Sequence, residues 1–260
     1  MRPVPEVFLM TWCMQTVKRI TSAIGSSGWP DAVTSRLRSP FTSPPREVDI
    51  SGLQATWEYT EAFIGEDEVL TAAAARGAEM GAVPIKPGGG AALRLLAAAV
   101  DARSVVEVGT GCGTSGIWLL RGMNPEGVLT SIDAEAEHQR LAKQAYTDAG
   151  FAPARTRLIC GPALDVMPRL TDAAYDLVFC DADKKEYADY LRESLRLLRV
   201  GGIVAFDNAT WHDKVADPSQ RDQATITIRE LGKAVRDDVR LVPTLMPVGD
   251  GLLAAVKREA

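Results

Sequence analysis

The sequence predicts an α/β fold: a mostly parallel, seven-stranded sheet with helices on both faces, closed by an antiparallel C-terminal hairpin. Three observations predict it. Short β-branched runs alternate with helical segments from Ser104 onward, the pattern of a parallel sheet covered on both sides. A glycine-dense loop follows the first of these runs and opens the next helix, as at the ligand crevice of a doubly wound sheet. The last two runs are separated only by Pro247-Val248-Gly249-Asp250-Gly251, too short a connection for a helix, so they pair with each other.

Taken in order, residues 1–50 read as a poorly ordered extension. Its stretch Ser35–Arg46 is dense in Ser, Pro and Arg, with Pro40, Pro44 and Pro45 close together; prolines remove backbone donors, and the composition offers little to bury. Residues 51–260 read as one domain, regular from about Trp57. Asp67–Met80 is alanine-rich and helical in pattern. Pro84, Pro87 and Gly88–Gly90 break it, and Ala91–Val100 resumes as a helix with Leu93, Leu96 and Ala97 on one face. The strands are Ser104–Val108, Val128–Ile132, Thr156–Cys160, Leu177–Cys180 and Ile203–Phe206, then Arg240–Met246 and Leu252–Lys257. The helices among them are Ser115–Arg121, Glu135–Ala149, Leu164–Leu170, Lys185–Leu198 and Gln220–Val235.

Hydrophobic content of 46% and charged content of 24% are ordinary for a globular chain. A net charge of -5 argues against a broad nucleic-acid-binding face. The four cysteines (Cys13, Cys112, Cys160, Cys180) form no CxxC pair, so zinc spacing is absent. Three of them lie in or beside apolar runs and read as buried, reduced thiols, which points to the cytoplasm. No apolar run reaches the ~18 residues of a membrane span, and Val7–Val17, with a single preceding charge at Arg2, makes a poor signal peptide.

The loop Glu107-Val108-Gly109-Thr110-Gly111-Cys112-Gly113 leaves a strand and enters a helix. Its glycines let the backbone turn sharply and approach a ligand, while the helix N-terminus offers free N–H groups. The string Gly111–Gly116 is also a formal GxGxxG, by itself a weak sign of a dinucleotide. Glu107 lies two residues before the first glycine. A carboxylate there repels a pyrophosphate but answers the cationic methionine end of S-adenosylmethionine, directly or through water. With the terminal hairpin, this favours S-adenosylmethionine over a nicotinamide cofactor. Asp133, just past the next strand, suits ribose hydroxyls of either cofactor, or the N-cap of the following helix.

Asp181 and Asp183 follow one strand, Asp207 and Asn208 another. Strand ends of a doubly wound sheet converge on the crevice, so Asp181, Asp207 and Asn208 form a hard-oxygen set suited to a divalent cation, Mg²⁺ foremost. Singly, they also read as a turn and an N-cap. Lys184, next to them, can accept a proton or stabilise an oxyanion; Lys185 reads as solvated, and Tyr187 and Tyr190 as packing residues. Of the two histidines, His138 in its charged helix reads as solvated, and His212 as a candidate for the substrate mouth. Trp211 beside it is a candidate wall for a flat aromatic substrate. So few histidines make a Ser-His-Asp hydrolase a poor reading.

Together, Glu107–Gly113, Phe179-Cys180-Asp181-Ala182-Asp183-Lys184 and Ala205-Phe206-Asp207-Asn208 resemble the cation-dependent O-methyltransferases of the caffeoyl-CoA and catechol type, bacterial branch. The likeness runs from about Trp57 to the C-terminus. It implies a Rossmann-like class I methyltransferase fold, a divalent metal on Asp181, Asp207 and Asn208, and Lys184 as catalytic lysine. It implies cofactor contacts at Ile85, Glu107, Gly109, Thr110, Ser115, Asp133, Ala163 and Asp183, and a homodimer. The chain departs from the family at Thr114, where an aromatic residue is common, and at Lys86-Pro87, where Ser-Pro is common. The expected reaction is methyl transfer from S-adenosylmethionine to a metal-held hydroxyl of a catechol-like small molecule, with no membrane partner. A hydroxylated tRNA base is the alternative acceptor; an NAD-dependent oxidoreductase and a non-catalytic binding module are the rival classes.

Overall fold

The computed structural model describes residues 50–259. The N-terminal extension expected from composition, including Cys13, lies outside the described residues. The elements are α1 (Ile50–Ala62), α2 (Glu68–Glu79), α3 (Pro87–Ala99), β1 (Ser104–Val108), α4 (Thr114–Gly122), β2 (Val128–Asp133), α5 (Ala136–Asp148) and β3 (Thr156–Cys160). They continue as α6 (Ala163–Val166), β4 (Tyr175–Cys180), α7 (Tyr187–Leu197), β5 (Leu198–Phe206), α8 (Gln223–Asp237), β6 (Leu241–Met246) and β7 (Leu252–Lys257).

The strands form one seven-stranded sheet in the order β3-β2-β1-β4-β5-β7-β6. The first five are parallel; β7 inserts antiparallel between β5 and β6, as the hairpin reading expects. Consecutive strand residues point to opposite faces, and each face has its own core. Val105, Leu177 and Phe179 pack with Leu70 of α2, Leu93 of α3, Trp118 of α4 and Tyr146 of α5. Their neighbours Val106, Val178 and Cys180 pack with Tyr187 and Leu191 of α7 and Ile228 and Leu231 of α8. Most core-strand positions are therefore apolar on both sides, Glu107 of β1 and Thr130 and Ser131 of β2 being buried polar exceptions, which is why the strands read as largely apolar runs. No helix among the described residues is long and apolar enough to cross a membrane.

Three elements differ from the sequence reading. Helix α1 had no clear apolar stripe and was not expected; it leaves Leu53 and Tyr59 exposed, as is Phe63 just past its end. Helix α3 begins at Pro87 and runs straight through Gly88–Gly90, which were read as breakers. Proline fits the first turn of a helix, where its missing N–H costs nothing, and the glycines permit close packing. A Cβ on Gly90 would come 2.3 Å from the Trp118 ring. Strand β5 starts at Leu198, directly after α7, not at Ile203. Cys112 and Cys180 are buried, but Cys160 is exposed: it ends β3, the edge strand of the sheet.

Candidate active site

Strand order reverses between β1 and β4, and the crevice lies over the C-terminal ends of these strands. After β1 the chain turns through Gly109, Gly111 and Gly113 with φ of 95°, 50° and 93°. A Cβ on Gly109 would sit 2.1 Å from the Asp181 carbonyl oxygen, so only glycine lets the loop cross the end of β4. The crossing is tied by Asp181 N–H donating to Val108 O at 2.8 Å.

Asp133, at the end of β2, organises this loop. Its Oδ2 accepts from the Thr110 and Gly111 amides at 3.0 and 2.9 Å. Its Oδ1 accepts from Glu135 N–H at 2.9 Å and lies 3.4 Å from His138 Nδ1. The N-cap of α5 is Glu135, not Asp133; the Asp133 carboxylate instead ties the glycine loop to the start of that helix. His138 is a correction: it was expected in solvent, yet its side chain is 18% exposed and lines the cavity. Its position five residues past Asp133, in the first turn of α5, returns it to the loop.

Glu107 is fully buried beneath the loop. It accepts from Ser115 Oγ at 2.7 Å and Ser131 Oγ at 2.5 Å. Burial pushes its carboxyl up to about 7, against the lowering effect of the two serine hydroxyls. It does not line the cavity, whereas Ser115 does, so its route to a ligand runs through the Ser115 hydroxyl.

Across the crevice, Cys180 and Phe206 are register partners on β4 and β5, which sets Asp181 and Asp207 side by side at adjacent strand ends. Lys184 Nζ donates to Asp181 Oδ1 at 2.7 Å and lies 5.0 Å from the Tyr187 ring centroid and 5.9 Å from that of Trp211. Asp207 is 3% exposed. Burial, then the Asp181 charge, raises its carboxyl to about 7, and its Oδ1 is buried without a hydrogen-bond partner. Asn208 stands in the left-handed region (φ 56°) and donates from Nδ2 to Asp250 Oδ2 at 3.3 Å. Tyr187 and Tyr190 are buried, Tyr187 donating to the Asp207 carbonyl oxygen at 3.1 Å, and Lys185 is exposed.

One cavity of about 550 Å³ joins these groups. Ile85, Gly109, Thr110, Ser115, Asp133, Ala163, Asp181, Asp183, Lys184 and Asn208 all line it; Glu107 and Asp207 lie just behind its wall. Trp211 and His212 close one side. Among the described residues, no three His, Cys, Asp or Glu side chains cluster to hold a metal; the candidate set is two carboxylates and one amide. That set fits a hard cation, because Asp207 Oδ1 is an acceptor already stripped of water and left unsatisfied. The sequence reading missed Asp250, whose Gly-Asp-Gly context reads as an ordinary hairpin turn.

The O-methyltransferase family matches residues 61–258. A Mycobacterium tuberculosis protein named as a probable O-methyltransferase is 48% identical over 204 residues, covering 78% of this chain and 91% of that one. A Mycobacterium avium relative is 46% identical over 213 residues, covering 82% and 96%. Among solved structures, the O-methyltransferase TomG of Streptomyces achromogenes, in complex with SAM, superimposes with a TM-score of 0.71 at 29% identity, covering 79% of this chain and 99% of that chain. A Bacillus cereus O-methyltransferase in complex with SAH gives 0.70 at 27% identity, covering 78% and 99%. With the family model matched over residues 61–258 and relatives 46–48% identical over about four-fifths of the chain, the chain belongs to the O-methyltransferase family.

Proposed function

We propose that this enzyme transfers the methyl group of S-adenosylmethionine to a hydroxyl of a catechol-like small molecule, assisted by a divalent cation, Mg²⁺ foremost. The cofactor half is supported by the glycine loop, by Asp133 at the end of β2, and by the SAM and SAH complexes of the two structural neighbours. Asp133 would hold the ribose hydroxyls, Ala163 would lie beside the adenine, and Ile85, Asp183 and the Ser115 hydroxyl would complete the cradle. Buried Glu107 holds Ser115 in place.

The observation that carries the cation half is Asp207 Oδ1, buried and unpartnered beside Asp181. Asp181, Asp207 and the Asn208 amide oxygen would hold the cation. When bound, it lowers the pKa of the acceptor hydroxyl and orients its oxygen. Lys184, fixed by Asp181, would accept the hydroxyl proton or stabilise the oxyanion. Trp211 walls the acceptor ring. The reaction breaks the S–CH₃ bond and forms an O–CH₃ bond; the sulfonium leaves as a neutral thioether, so no covalent enzyme intermediate is needed.

Transfer of labelled methyl from S-adenosylmethionine to a panel of vicinal diols tests this reading. Activity is expected to need added Mg²⁺, to stop with EDTA, and to fall at least 100-fold in Asp207→Ala, within the range of one removed electrostatic group. Undiminished, EDTA-insensitive turnover by Asp207→Ala would remove the cation from the account.

A further inference from the structure

The hairpin loop between β6 and β7 carries a carboxylate that does not touch the cavity yet controls two groups that do. Asp250 is 10% exposed. Its Oδ1 accepts from the Thr210 hydroxyl at 3.1 Å and from the His212 amide at 2.7 Å. Its Oδ2 accepts from Asn208 Nδ2 at 3.3 Å and lies 3.5 Å from His212 Nδ1. Its backbone carbonyl accepts from Thr210 N–H at 2.9 Å, and the Gly251 carbonyl from Ala209 N–H at 2.8 Å. The segment held this way is strained: Trp211, His212 and Asp213 have φ of 47°, 54° and 64° in succession. Such a conformation costs of order 1–3 kcal/mol per non-glycine residue and persists only where its surroundings dictate it.

We propose that Asp250 is a positioning residue, which sets the amide of Asn208 oxygen-inward and locks the left-handed turn that presents Trp211 to the acceptor. The reason is the asymmetry of an amide. Asn208 has a donor end and an acceptor end of nearly equal shape, and either can face the cavity. A carboxylate only accepts, so the end turned to Asp250 must be the NH₂, and the oxygen is the end left for the cavity. Without that partner, a half-turn about the last side-chain bond would offer two N–H donors to a cation. The inference rests on the reading of Asn208 as a cation ligand.

Asp250→Asn in the full chain separates this role from mere packing. The change is isosteric and can keep one oxygen on Thr210 and His212, but it turns an NH₂ toward Asn208 and so favours the reversed amide. Two readouts avoid turnover. In the metal-free protein, the Asn208 side-chain amide resonance, assigned by its loss in Asn208→Asp, is expected to show one proton held downfield by the carboxylate, and to lose that shift in Asp250→Asn. In a Mn²⁺ titration followed by electron paramagnetic resonance, Asp250→Asn is expected to weaken binding about 10-fold or more, with the urea midpoint close to wild type. In an Asn208→Asp background the same change should cause no weakening, because a carboxylate at position 208 has no wrong end and accepts from the new amide. An unchanged Asn208 resonance, or Mn²⁺ affinity within about two-fold of wild type in the single variant, overturns the proposal. Wild-type protein that binds no Mn²⁺ overturns the cation reading itself and the ligand role of Asn208 with it; the resonance then still shows whether Asp250 is the acceptor of that amide.

Discussion

Replacing Glu61 should destabilise the domain more than any other single change in α1. Glu61 is 8% exposed. Its Oε2 accepts from Gly88 N–H at 3.0 Å and its Oε1 from Gly249 N–H at 2.6 Å. Gly88 lies in the first turn of α3, where amides have no partner within the helix and a negative charge is favoured by the helix dipole. One carboxylate therefore joins three elements: α1, the start of α3 just after cavity-lining Ile85, and the hairpin loop that carries Asp250. The fit is close, since a Cβ on Gly88 would lie 2.2 Å from Glu61 Oε1. A hydrogen bond to a charged group contributes about 1.5–3 kcal/mol. Two of them, discounted because water can reach the half-buried Gly249 amide, give a loss of about 3 kcal/mol for Glu61→Ala. Glu61→Gln keeps one acceptor and turns an NH₂ on the second amide, a loss of about 2 kcal/mol. At ~2–4 °C per kcal/mol for a domain of this size, Tm should fall by about 6–12 °C in the alanine variant. Urea unfolding at pH 7, with calorimetry for Tm, measures both. If both variants unfold within about 0.5 kcal/mol of wild type, the ordinary range of a surface change, the clasp contributes nothing and the reasoning fails.

Gly90→Ala drives a methyl group to 2.3 Å from the Trp118 ring, so it should cost about 1–3 kcal/mol in a thermal melt; an unchanged Tm would mean that the ring moves aside freely. Glu107 keeps its proton up to about 7 in the folded state against an ordinary 4.5. The folded state thus binds more protons than the unfolded one in that window, and stability should fall by up to about 3 kcal/mol as pH rises through it, then level off. Asp207 is raised to about the same value and adds its own fall, so urea melts of Glu107→Gln between pH 4.5 and 8 should show a shallower fall than wild type, and parallel curves for variant and wild type would contradict it. Buried Lys257 donates to the Leu195 and Leu198 carbonyl oxygens at the end of α7, at 2.8 and 2.9 Å. Lys257→Met should cost about 2 kcal/mol by leaving those carbonyls bare, and a denaturation midpoint at or above wild type would refute that.

The sheet was legible because its strands are short, mostly apolar runs separated by helical periods, and the hairpin because Pro247–Gly251 cannot hold a helix. The strand-end acids were legible because parallel topology brings Asp181 and Asp207 together without any spacing motif. What escaped depends on a partner from elsewhere in the chain. Helix α1 is held less by an apolar stripe than by one carboxylate whose acceptors meet amides 27 and 188 residues away. The glycines at the head of α3 looked like breakers because the ring and carboxylate pressed against them are not local. His138 looked solvated because its helix is charged, yet its first turn leans over the glycine loop. Asp250 looked like a turn residue because nothing in Gly-Asp-Gly says that β7 inserts beside β5 and sets the loop against Asn208.

Calorimetric titration of the full chain with S-adenosylhomocysteine and, separately, with NADH decides which cofactor the crevice takes. Micromolar binding of S-adenosylhomocysteine is expected, weakened at least ten-fold in Asp133→Ala, with no binding of NADH. Tight NADH binding with none for S-adenosylhomocysteine would contradict that expectation.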